Sequence, residues 1–144
     1  MKRIFGSRTE QSTTVCLLLG LSALVGCSHS VGGRQAAAGA ELFRIHCAGC
    51  HGADARGNGP VAEYIGVPVP NLTKLAANNG GEFPAERAFR VIDGQADTPM
   101  HGARHMPPWG YEFFDSAADD EDAHREATAK IDDLLQYLRT VQSQ

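Results

Sequence analysis

Apolar residues fall in an uneven pattern along the chain, and the pattern predicts helices. Val15 to Val25 is an apolar run relieved only by Gly20 and Ser22. It is too short for a membrane helix, which needs about 20 apolar residues. With Lys2, Arg3 and Arg8 ahead of it, the run reads as a secretory signal. Residues 28–35 are small and polar, with Gly32-Gly33 in the middle, and predict a linker. From Ala36 to His46 the spacing becomes helical: Gly39, Phe43, His46/Cys47 and Cys50 share one face. Asn71 can cap a short helix ended by Gly80-Gly81, and Pro84 fits the first turn of a helix to about Asp93, stopped by Gly94. The last helix has Ser116 and Asp119 as a capping start. Acidic residues Asp119 to Asp122 favour its positive end, and this run reads as a solvated helix start. Ile131, Leu134, Leu135, Leu138 and Val141 form its apolar stripe. The expected fold class is all-α.

The apolar run ends Leu24-Val25-Gly26-Cys27. This resembles the lipobox of bacterial lipoproteins, which implies cleavage before Cys27 and lipidation of its thiol. The organisation is then residues 1–26 as signal peptide, 27–35 as lipidated N-terminus and linker, and 36–144 as one domain. A linker of eight residues spans about 16 Å as a coil, and at most about 28 Å extended. The domain would work close to a bilayer surface. The sequence leaves open which membrane carries it.

Charge and composition narrow the options. The 144 residues carry a net charge of −4, and losing Lys2, Arg3, Arg8 and Glu10 with the signal takes it to −6. An acidic domain lacks the basic face that phosphate neutralisation needs, which excludes nucleic acid as a partner. Only 7 % of residues are aromatic, so the core is thin unless something else fills it. Of four cysteines, Cys16 leaves with the signal and Cys27 is taken by lipid. Cys47 and Cys50 remain for chemistry.

They stand in Cys47-Ala48-Gly49-Cys50-His51, a C-x-x-C-H pattern that reads as c-type haem attachment. Two residues between the cysteines let both sulfurs reach the vinyl groups of one porphyrin, and the next residue brings an imidazole to the iron. A redox C-x-x-C would follow a strand in a βαβ pattern, and no strand-like run precedes Cys47. A structural zinc site needs four ligands. No further cysteine is present, although His101 and His105 could pair one helical turn apart. Export agrees with haem, because thioether attachment of this kind occurs outside the cytoplasmic membrane. His29, His46 and His124 carry no motif and are expected at the surface.

From about residue 36 to 141 the chain resembles the class I bacterial cytochromes c. Gly39 and Phe43 match that family's first helix, Gly57-Asn58-Gly59-Pro60 its loop past the proximal histidine, and Asn71-Leu72-Thr73 and Val91-Ile92-Asp93-Gly94 its middle segment. Met106-Pro107-Pro108-Trp109-Gly110 matches the axial methionine segment, and Leu134, Tyr137 and Leu138 the last helix. The resemblance implies short helices around one covalent haem c, with the terminal helices crossing. Leu134 or Tyr137 is then expected against Gly39 or Phe43. It implies Cys47 and Cys50 as covalent attachments, His51 and Met106 as axial iron ligands, and the Pro60 carbonyl as acceptor of the His51 Nδ1 proton. Thioether sulfur suits haem iron and with histidine raises its potential. Met100, His101 and His105 are the competing sixth ligands. Trp109 is expected to pack in the haem pocket or to donate to a propionate.

The implied function is single-electron transfer in an exported respiratory or redox chain. No catalytic residues and no small-molecule substrate are expected, and the partners would be redox proteins at the membrane surface. The alternatives are an electron-accepting subunit of a periplasmic dehydrogenase or oxidase, and a haem-based ligand sensor.

Overall fold

The computed structural model describes residues 27–96, 106–114 and 120–143, with side chains from residue 31. Met100, His101, His105, Ser116, Asp119 and the signal segment lie outside the described residues. The chain divides into two units between Val31 and Gly32, and the second unit holds the fold.

Helix α1 spans Cys27–His46, and after one turn residue the four-residue helix α2 spans Ala48–His51. Residues 28–35, expected as a linker, are helical. Nucleating a helix is costly but extending one adds a hydrogen bond per residue fixed. The Ala36-Ala37-Ala38 run behind Phe43 supplies the nucleus. Extension across Gly32 and Gly33 gains no packing, since no atom would lie within 4 Å of a side chain at either.

Three short pieces and three more helices follow. Single 3₁₀ turns lie at Ala62–Tyr64, Leu72–Lys74 and Ala77–Asn79. Helix α3 is Ala85–Asp93, α4 is Trp109–Glu112 and α5 is Asp120–Thr140. Asn71 caps as expected: its Oδ1 accepts from the Thr73 N–H at 2.9 Å and from the Thr73 hydroxyl at 2.8 Å. The expected helix beyond it is two 3₁₀ turns instead. The Thr73 side chain is spent on Asn71, and the Thr73 carbonyl accepts from Ser143 N–H at 2.8 Å, so the segment follows the C-terminus rather than its own helix. Pro84 sits just ahead of α3, and Gly94 ends it in the left-handed region.

The core sits between α1, α3, α4 and α5. The α5 stripe is buried at Ile131, Leu134, Leu135 and Leu138, joined by Phe43, Ile92 and Phe113. Asp120, Glu121 and Asp122 occupy the first turn of α5, where the helix dipole favours negative charge. The terminal helices cross at Gly39. A Cβ there would collide with the Asp133 carbonyl oxygen and come within 3.0 Å of the Leu134 nitrogen. One turn on, the Phe43 and Tyr137 rings pack with centroids 5.1 Å apart. This is the crossing expected from the sequence. Beyond α5 the Gln142 side chain donates to the Leu72 carbonyl at 2.9 Å and accepts from Ala76 N–H at 2.9 Å, strapping the 3₁₀ segment onto the last helix.

Candidate functional site

The segment Cys47–His51 is held by its own helical bonds and by the loop that follows it. Cys47 N–H donates to the Phe43 carbonyl and His51 N–H to that of Cys47, both at 2.9 Å, so the motif continues the direction of α1. The loop from Gly52 to Val61 then folds back over it. Gly57 N–H donates to the His51 carbonyl at 2.7 Å, Gly59 N–H to Cys50 at 3.1 Å and Val61 N–H to Gly49 at 2.9 Å. Gly59 is required by this approach, because a Cβ would strike the carbonyls of Ala48 and Gly49. Pro60 lies between two of these bonds, at the surface, against the back of the motif.

An apolar cleft opens in front of the motif. Cys47, Cys50 and His51 form one wall. Ile65, Val67, Pro68, Val69 and Pro70 line a second, and Met106, Pro107 and Trp109 a third. His51 is 7 % exposed, with its Nδ1 atom fully buried. Met106 is half-buried against the core.

Cys47 and Cys50 are free and half-buried. Burial, reinforced by the neighbouring Cys50, pushes the Cys47 thiol up to about 12. A thiol so disposed is the reverse of a redox C-x-x-C, whose attacking cysteine is stabilised as thiolate. A helix, not a strand, precedes it. Among the described residues no three His, Cys, Asp or Glu side chains gather to hold a metal ion, so zinc gains no support there. Two thiols, an imidazole and a thioether on one apolar cleft are the donor set of a covalently attached haem.

A family model for cytochrome c matches residues 36–142. The chain belongs to the cytochrome c family. No characterised relative and no solved structure matches it. A cytochrome c binds haem c covalently, and Cys47 and Cys50 carry the attachment motif ahead of His51. Haem-based electron transfer is the family's general function, and its domains are typically exported.

The structure thus brings together Cys47, Cys50, His51, Met106 and Trp109 on one cleft, and sets Pro60 behind the motif. The side chain of Cys27 lies outside the described residues. His46 is exposed as expected, and it also lines the cleft and packs on Trp109 and Phe113. His124, also exposed, lies 4.9 Å from the Phe114 ring. The wall from Ile65 to Pro70 was missed. Its signal was the alternation in Val67-Pro68-Val69-Pro70, where each proline fixes φ and removes a donor, giving a stiff segment outside any helix.

Proposed function

We propose that the protein is an exported monohaem cytochrome c that carries single electrons between redox proteins at the periplasmic face of a bacterial membrane, anchored by lipid on Cys27. The observation that carries the electron-carrier reading is the meeting of His51 and Met106 on the cleft that both motif thiols line. In this reading His51 and Met106 would hold the haem iron, and the Pro60 carbonyl would accept the His51 Nδ1 proton, fixing the imidazole ring. A haem held there supplies a one-electron couple between ferric and ferrous iron. With His51 and Met106 both engaged, these residues would leave no place at the metal for substrate. Pro107 and Pro108 stiffen the backbone beside Met106, so little rearrangement accompanies a change of charge.

The test is the purified ferric and ferrous protein beside Met106→Ala. Wild type is expected to show the sulfur-to-iron charge-transfer band and to bind carbon monoxide slowly. Met106→Ala is expected to lose the band, lower the potential and bind carbon monoxide readily. An unchanged Met106→Ala spectrum would move the sixth ligand elsewhere, and a wild type that already binds the gas fast would make the protein a sensor. Loss of membrane attachment and of fatty-acid labelling in Cys27→Ala tests the anchor separately.

A further inference from the structure

His46 is the last residue of α1 and immediately precedes Cys47. Its ring meets two others: Trp109 at 5.1 Å between centroids and 60°, and Phe113 at 5.3 Å and 72°. Trp109 and Phe113 lie 5.4 Å from each other, which closes a triangle of three rings. Edge-to-face pairs at such distances are attractive.

The wall carrying Met106 also touches α3 and α5. Pro108 abuts Gly94 at the end of α3, so closely that a Cβ on that glycine would touch it. Gly110 lies against Asp93, and Phe113 is buried in the core beneath Lys130 of α5. Those contacts fix the wall to α3 and α5. His46 instead fixes it to the helix that presents Cys47, Cys50 and His51. Met106 is three residues from Trp109, joined through Pro107-Pro108. A ligand pair drawn from two separate walls needs the distance between those walls held constant, and His46 bridges them.

We propose that His46 is a positioning residue: its ring grips Trp109 and Phe113 and holds the Met106 wall closed against the motif helix. The inference rests on the reading of Met106 as sixth ligand. What matters is the aromatic ring, so phenylalanine can replace His46 and alanine cannot.

The experiment compares holo wild type, His46→Ala, His46→Phe, Trp109→Leu and Met106→Ala. It records the ferric charge-transfer band and the rate of carbon monoxide binding to the ferrous form. His46→Ala is expected to weaken the band and speed binding about tenfold, the loss of two aromatic pairs. Trp109→Leu is expected to do the same, and His46→Phe to stay near wild type. If His46→Ala matches wild type while Met106→Ala loses the band, the clamp is wrong and the ligand reading stands. If Met106→Ala keeps the band, the ligand reading fails and the clamp fails with it. If His46→Phe is as impaired as His46→Ala, the ring packing is not the cause, and the proposal is overturned. Should His46→Ala not take up haem, Trp109→Leu against His46→Phe decides on the same readouts.

Discussion

Replacing Gly39 by alanine should destabilise the protein, although alanine is the better helix former. In an open helix interior the change gains about 1 kcal/mol. Gly32 and Gly33 lie in the same helix with no atom within 4 Å of an added Cβ, so alanine there should realise that gain. At Gly39 the added carbon meets backbone, the carbonyl of Asp133 and the nitrogen of Leu134, which no rotamer change can remove. The helices must part, and Phe43, Tyr137 and Leu134 lose contact together. Overpacking costs about 1–3 kcal/mol, and a backbone obstacle places the cost near the upper end, leaving a net loss of about 2 kcal/mol after the propensity gain. For a domain of this size that lowers the melting temperature by roughly 8 °C or more. The assay is guanidinium and thermal unfolding of the holo proteins, followed by far-ultraviolet circular dichroism. A Gly39→Ala protein as stable as Gly33→Ala would refute the close crossing.

Other outcomes follow from the same geometry. Wild-type haem should survive acid-acetone extraction of denatured protein, and Cys47→Ser combined with Cys50→Ser should release it. Gln142→Ala should cost about 1–3 kcal/mol, because it removes the bonds to Leu72 and Ala76 and leaves part-buried backbone groups unpaired; amide exchange should rise first in residues 72–76. Burial raises the Tyr137 hydroxyl above its ordinary value of 10.0, so the folded state holds that proton more tightly than the unfolded state. The stability this contributes is intact below pH 10 and is lost as pH rises through the raised value. Unfolding measured from pH 8 to 11.5 should show that fall in wild type and a smaller one in Tyr137→Phe.

Where the sequence was legible, the cause is local or periodic. Gly94 at the end of α3 and Asn71 at its cap act through neighbours one to four residues away. The α5 stripe needs only a period of 3.6. The attachment motif is local too, since its spacing is set by the porphyrin. The features that were not legible depend on partners distant in sequence. Thr73 belongs to 3₁₀ turns because Ser143 and Gln142 claim that segment from the far end of the chain. His46 belongs to the site because Trp109 and Phe113 come to it, and no property of residues 36–51 announces that. The helical start of α1 runs the other way: its glycines describe local preference well, but the helix behind them is already nucleated.

The thin aromatic content and the cleft are one fact seen twice. The core of this domain is mostly α5 aliphatics and two phenylalanines, and it stops at the motif. Beside it Ile65, Val67 and Val69, with Met106 and Trp109 packed against that core, line a cleft instead of closing a second core. A haem is a large apolar disc, and apolar contact at about 25 cal/mol per Å² makes such a group a substantial part of the folding free energy. In the proposed reading the residues that would hold it come from two places: His51 from a helix that the terminal crossing at Gly39 fixes, Met106 from a wall that α3 and α5 fix. Attachment and folding are therefore coupled through the same contacts. A perturbation at Gly39, far from the iron, should weaken the hold of His51 before it unfolds the chain.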